Sequence, residues 1–338
     1  MSTMRAMIVP QASAPLQLID RDLPVPGRHE ALVKVHACGV CHSDSVTVEG
    51  LFPGIEYPRI PGHEVIGTIV GLGPDVDGWT VGTRVGIGWF PGSCGYCRHC
   101  LRGEAFACEN VRGGTGVSRD GGYATHMTAD VSALARVPES LDSVESAPLL
   151  CAGITTFNAI RNSGARAGDL VAVQGIGGLG HLGIQFAAKL GFRTVAVNRG
   201  RDKESLARKL GAHDYIDSAA DDPAQALQAM GGAKAIIATV TNADAMQAIV
   251  GGLGIGGTMM LIGATGPIVI NPIELLLKSA GVRGWYSGVA ADSEDTLRFS
   301  DLHAISSMNE VYPFAQAQQA YDRMMSGKAR FRVVLKMD

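Results

Sequence analysis

The chain has 338 residues, 46% hydrophobic and 18% charged, which is ample material for a core but more chain than one core usually organises, so two domains are expected. With 29 basic against 32 acidic residues the formal net charge is −3, which excludes the broad positive field that nucleic acid or an anionic membrane would need and points to a small-molecule partner. No apolar run approaches the roughly 18 residues that cross a bilayer, and Met1-Ser2-Thr3-Met4-Arg5-Ala6 lacks the layout of a signal peptide, so the cytoplasm is the expected location.

From the amino terminus, short β-type runs at 31–36, 65–70 and 83–87 are separated by Gly and Pro, the pattern of an irregular β-rich domain. Within it lie two groups of metal-ligand residues. Cys94, Cys97, Cys100 and Cys108 follow C-x2-C-x2-C-x7-C, which gathers four thiolates on one loop around a single tetrahedral zinc. Four protein ligands close the coordination shell, so this site is expected to be structural, with folding of the loop coupled to the metal. The second group is dispersed over Cys41-His42-Ser43-Asp44, Gly62-His63-Glu64 and Leu150-Cys151-Ala152-Gly153. Two thiolates and one imidazole from separate segments leave one position open, as a catalytic zinc requires. Taken singly, Cys151 and His63 read more simply as packing residues. Clustered cysteines, seven with Cys38 included, fit metal ligation in a reducing compartment better than disulfides.

Beyond residue 165 the chain alternates β-type runs at 170–174, 194–198, 214–217, 235–239, 258–262 and 282–285 with helical stretches, among them 179–190 and 202–210. This is the pattern of a doubly wound parallel sheet, an α/β fold. Directly after the first run stands Gly175-Ile176-Gly177-Gly178-Leu179-Gly180, the strand–turn–helix context in which glycines let a dinucleotide pyrophosphate approach a helix N-terminus. The tail, a helical stretch at 314–325 and a strand at 330–336, is expected to return to the first domain, because the six-strand pattern is already complete. The expected division is therefore 1–150 with 288–338, and 151–287.

The combination resembles the zinc-dependent alcohol dehydrogenases of the medium-chain dehydrogenase/reductase superfamily over almost the whole chain. Gly62-His63-Glu64-x2-Gly67-x5-Gly73-x2-Val76 matches that family's zinc signature, and Cys38-Gly39-Val40-Cys41-His42-Ser43-Asp44 is most similar to its yeast and bacterial branch. The resemblance implies a GroES-like catalytic domain joined to a Rossmann domain, and a homotetramer or dimer. It implies that Cys41, His63 and Cys151 hold the catalytic zinc, with Glu64 a close or transient ligand and Asp44 accepting the other ring N–H of His63. Ser43 would take the substrate's proton. His42 and Arg332 would meet the pyrophosphate, and Thr155 the nicotinamide. Phe52 and Trp89 would wall an apolar pocket for primary aliphatic or aromatic alcohols, with Tyr286 near the nicotinamide, although ordinary core packing also accounts for such aromatics.

Two departures from the family pattern stand out. Val46 replaces the histidine that completes a proton relay in many relatives. Asn198, followed by Arg199, replaces the aspartate of NAD-preferring members, which leans the expected cofactor from NAD toward NADP. A polyol or threonine dehydrogenase shares the fold and zinc sites. A zinc-free quinone or enone reductase would lack the three-ligand set, and a non-enzymatic zinc-loop module would not need the glycine turn.

Overall fold

The structure, a computed structural model, describes residues 3–337. The chain divides into two compact units, Met1–Cys151 with Gly288–Asp338, and Ala152–Ser287. The first unit begins with strands β1 (Thr3–Ile8), β2 (Gln17–Asp22), β3 (Glu30–Val40), β4 (Val65–Leu72), β5 (Arg84–Ile87), β6 (His126–Asp130) and β7 (Leu134–Arg136). The second unit contains β8 (Leu170–Gln174), β9 (Arg193–Asn198), β10 (Asp214–Asp217), β11 (Ala233–Ala238), β12 (Leu253–Leu261) and β13 (Gly281–Gly284). The chain then returns to the first unit with β14 (Asn309–Pro313) and β15 (Arg332–Lys336).

In the first unit the sheet runs β14-β15-β3-β4-β5-β7, and β3 is its spine. One edge of β3 pairs with β4, while the other is shared end to end by β6 on residues 30–34 and β15 on residues 37–40. The carboxyl-terminal strand thus joins the first unit by pairing Val333 with Val40 and Lys336 with Ala37. Val33, Val35, Ile69, Val85, Phe314, Val333 and Leu335 form the core between these strands and the terminal helix Ala317–Met325. At about 25 cal/mol per Å² of apolar area removed from water, burial of this kind is what offsets the entropy of fixing so irregular a chain.

The second unit is a six-stranded, wholly parallel sheet in the order β10-β9-β8-β11-β12-β13. All five residues of β8 are buried, as a central parallel strand requires when helices cover both faces. Val195, Val197, Ile216, Ile236, Ile249 and Met259 fill the core on one side. The strand order reverses between β8 and β11, so the carboxyl ends of these strands open at the switch point where such sheets bind ligands. β12 begins five residues before the expected run, because Gly254, Gly256 and Gly257 hide its strand character in the sequence.

Candidate functional site

The dispersed cluster is assembled from three segments, the end of β3, the loop before β4 and the junction of a 3-10 turn with a helix. β3 delivers Cys41, and the chain turns at once through a 3-10 turn, His42–Asp44, closed by the Cys41 N–H donating to Asp44 Oδ2 at 2.9 Å. His63 and Glu64 precede β4 in a loop that needs Gly62 at φ +101°, where a Cβ would stand 2.4 Å from the Tyr123 ring. Cys151 follows the 3-10 turn Ala147–Leu150. Donor atoms of Cys41, His63, Glu64 and Cys151 all lie within 4.8 Å of one another, and the two sulfurs are 3.7 Å apart. That spacing is far beyond a disulfide bond and close to the edge, about 3.8 Å, of a tetrahedron with metal–sulfur bonds of about 2.3 Å.

Burial makes this donor set chemically demanding. His63 is 1% exposed; its Nδ1 lies 2.9 Å from Asp44 Oδ1, and its Nε2 is buried with no hydrogen-bond partner. Tyr123, wholly buried, donates its hydroxyl to Asp44 Oδ2 at 2.9 Å. Burial disfavours a charged imidazole, but Asp44 overrides it and holds the His63 pKa well above its usual value. A hydrogen bond from Cys151 holds the Cys41 thiol well below the usual thiol range. Glu64 is wholly buried, and burial pushes it up to about 8 although Arg332 pulls the other way. One Glu64 oxygen accepts from the Arg332 guanidinium, and the other has no partner. Two thiols and the Glu64 carboxyl therefore share one buried guanidinium. A dication fits this set on three counts: the orphaned Nε2, the tetrahedral sulfur spacing and the excess of anionic donors.

The second cluster is local. Cys94, Cys97, Cys100 and Cys108 bring their sulfurs within 4.8 Å of one another, with Cys97 and Cys100 3.4 Å apart and Cys94 and Cys100 3.9 Å apart. The helical turn Arg98–Leu101 and the 3-10 turn Ala105–Ala107 fold the loop back on itself. The Cys97 N–H and the Asn110 amide donate to Cys94 Sγ at 3.4 and 3.2 Å. Against the opposing effect of burial, such donors bring the Cys94 thiol down to about 6, the bias a thiolate ligand needs.

In the second unit, Gly175 (φ +92°), Gly177, Gly178, Leu179 and Gly180 join β8 to the helix Gly180–Lys189. A Cβ at Gly180 would stand 1.8 Å from the Gly175 carbonyl oxygen, so this turn closes only around glycine. Asn198 ends β9, and its Oδ1 accepts the Ile176 N–H at 3.3 Å, tying the turn to the neighbouring strand. Arg199 is exposed and has no carboxylate partner among the described residues, whereas Arg201 is 3.3 Å from Glu204. Asp217, which the sequence did not single out, pins the loop after β9 by accepting the Gly200 N–H at 2.7 Å. Thr155 is half-buried in the helix Ala152–Arg161, and Tyr286 is exposed.

The remaining expected residues take varied places in the first unit. The Trp89 ring stands edge-on to His63 at 4.9 Å. His42 and Phe52 are exposed, and Ser43 and Val46 half-buried. Arg332, expected at a pyrophosphate, is 6% exposed and bonded to Glu64, so its first partner is a carboxylate of this same cluster. Tyr123 is the residue that sequence reasoning missed. Nothing marks it there except its place after Gly121-Gly122, which lets the backbone run close beneath the His63 loop.

Known proteins agree with this architecture along the whole chain. Residues 27–139 match the family model described as alcohol dehydrogenase GroES-like domain, and residues 178–301 that described as zinc-binding dehydrogenase. The chain is 42% identical to alcohol dehydrogenase notN of Aspergillus sp. (strain MF297-2), over 99% of this chain and 98% of the relative. Among solved structures, cinnamyl alcohol dehydrogenase of Sorghum bicolor superposes with a TM-score of 0.86 at 28% identity, covering 99% and 98% of the two chains. The CAD of Helicobacter pylori, solved with NADP(H), gives 0.87 at 25% identity with the same coverage. No helix among the described residues is long and apolar enough to cross a membrane. With a GroES-like unit, a parallel cofactor-type sheet and homologues of this identity, the chain belongs to the zinc-dependent alcohol dehydrogenases of the medium-chain dehydrogenase/reductase superfamily, an oxidoreductase acting on alcohols.

Proposed function

We propose that this dehydrogenase interconverts primary aliphatic or aromatic alcohols and their aldehydes, with NADP(H) preferred over NAD(H) and two zinc ions per subunit. The observation that carries the reading is the orphaned His63 Nε2 beside two sulfurs 3.7 Å apart, an open three-donor site. A zinc ion held there would supply Lewis acidity toward an alcohol or carbonyl oxygen, and a nicotinamide cofactor would supply the hydride chemistry.

The chain's own residues do the rest. Cys41, Cys151 and His63 would hold the metal, while Asp44 fixes the His63 ring. Glu64 stands beside them, its charge balanced by Arg332. Ser43 Oγ takes the proton of the substrate hydroxyl and hands it on, and Val46 offers no group to carry it further. Trp89 and Phe52 present apolar surface to the substrate and limit water, which favours simple alcohols over polyols. The loop of Cys94, Cys97, Cys100 and Cys108 holds the second, structural zinc. Toward the cofactor, Gly175, Gly177, Gly178, Leu179 and Gly180 would take the pyrophosphate, and Thr155 and Tyr286 would stand by the nicotinamide. Asn198 carries no charge to repel a 2′-phosphate, and Arg199 attracts one.

Seven unpaired cysteines suit a reducing, cytoplasmic setting. The open edge of β13 with exposed Ile273, Leu276 and Leu277 suits a homo-oligomer, a tetramer or dimer. A spectrophotometric panel of alcohols and aldehydes, run with both cofactors, tests the reading. The expected result is highest kcat/KM for a primary alcohol or its aldehyde with NADP(H), and higher values for polyols would reject it.

A further inference from the structure

We propose that Tyr123 is a positioning residue of the dispersed metal site, holding the His63 loop and the Cys41 turn in register through one phenol ring and one hydroxyl. The inference rests on the reading of Cys41, His63 and Cys151 as a metal site. The observation behind it is a three-way junction at Asp44. Oδ2 accepts the Tyr123 hydroxyl and the Cys41 N–H, both at 2.9 Å, while Oδ1 faces His63 Nδ1, also at 2.9 Å. A carboxylate is an acceptor on both oxygens, and this one is 2% exposed, with three short polar contacts that go to the two ligand-bearing segments and to Tyr123.

Tyr123 holds the other side of the site through its backbone and ring. Its N–H donates to the Pro61 carbonyl at 3.0 Å, and those of Gly122 and Gly121 to Gly62 and Ile60 at 2.9 and 2.8 Å, so residues 121–123 run alongside the segment that leads into His63. The ring lies against Gly62, where even a methyl group would collide with it. The backbone therefore fixes where the ring sits, the ring sets where the hydroxyl sits, and the hydroxyl limits how Asp44 can rotate. Asp44 in turn orients the imidazole whose Nε2 points to the metal position. The Tyr123 hydroxyl is bonded to Asp44 and not to a ligand atom, and acts through that carboxylate.

Removing only the hydroxyl tests this. In zinc-loaded Tyr123→Phe, zinc of the dispersed site should pass to a chromogenic chelator about tenfold faster, the lower end of what outer hydrogen-bond partners of metal ligands contribute. After cobalt replacement of that zinc, the visible d–d bands should shift. The melting temperature and the zinc of the four-cysteine loop should stay as in the wild type. In an Asp44→Asn background, Tyr123→Phe should add much less to the release rate than it does alone, because the two act through one junction. An unchanged release rate and cobalt spectrum would overturn the proposal. So would equal loosening of both zincs with a lower melting temperature, the signature of lost packing. A wild-type protein holding zinc only in the four-cysteine loop overturns the reading of the site and this proposal together.

Discussion

The two cysteine clusters offer the same kind of donor at the same spacing but are built in opposite ways. Residues 94–108 draw all four sulfurs from one loop, with a helical turn and a 3-10 turn closing it and backbone N–H groups favouring thiolate. The other set draws two sulfurs and an imidazole from segments 110 residues apart, and each donor is held by partners farther back: Asp44 and Tyr123 behind His63, Arg332 behind Glu64. If each set binds zinc as proposed, the metal of the local set belongs to the folding of its loop, whereas the donors of the dispersed set are held by the fold and leave its metal available for chemistry.

The comparison is broken most directly at the ligands. Cys41→Ala or His63→Ala should lower kcat/KM by about 10³-fold or more, since several kcal/mol of transition-state stabilisation go with the metal. Circular dichroism should place the melting temperature within about 3 °C of wild type, and metal analysis should find one zinc instead of two. Cys97→Ser should do the reverse, lowering the melting temperature by about 5 °C or more while the remaining folded fraction keeps its turnover per molecule. If both variants lost stability equally, the division between a folding metal and a chemical metal would fall.

Smaller effects sharpen the dispersed side. Ser43→Ala should cost roughly 10²-fold in kcat, the range of a positioned proton-transfer group. Val46→Ala should change kcat by less than about threefold, because valine carries no proton; a steady-state comparison at neutral pH reads both. The least effect is expected at the cofactor. Arg199→Ala should reduce the NADPH-over-NADH preference in kcat/KM by about tenfold, the value of roughly 1.4 kcal/mol. A clear NADH preference that this substitution leaves unchanged would remove Arg199 from the account.

How much of this was legible in the sequence follows the same division. Features defined by neighbours along the chain were readable: the C-x2-C-x2-C-x7-C loop, the glycine turn, and strands such as 170–174 and 214–217, where a run of β-formers matches the observed limits. Features defined by partners far along the chain were legible only through the family resemblance, as with Cys41, His63 and Cys151, or not at all. β3 runs four residues past the expected 36, because β15 pairs with residues 37–40 and a local reading cannot see that partner. Arg332 was expected, through the resemblance, at a pyrophosphate, and its bond to Glu64, 268 residues away, was not legible. Tyr123 carries no sequence signal beyond its place after Gly121-Gly122, since its part depends on where a backbone packs and not on a motif.

The place of β15 in the first unit bears on how the chain is made. Domains at the amino terminus usually fold first during synthesis, but here the unit that starts first is finished last. When the ribosome has made residue 287, every strand of the parallel sheet and all four cysteines of the local loop already exist. At that stage β3 still has an unpaired edge at 37–40, and Glu64 still lacks the only cation bonded to it among the described residues. Glu64 therefore gains its guanidinium partner only after residue 332 has emerged, and a nascent chain cut short before that residue would carry every strand of the parallel sheet but lack the pairing at 37–40 and the ion pair at Glu64.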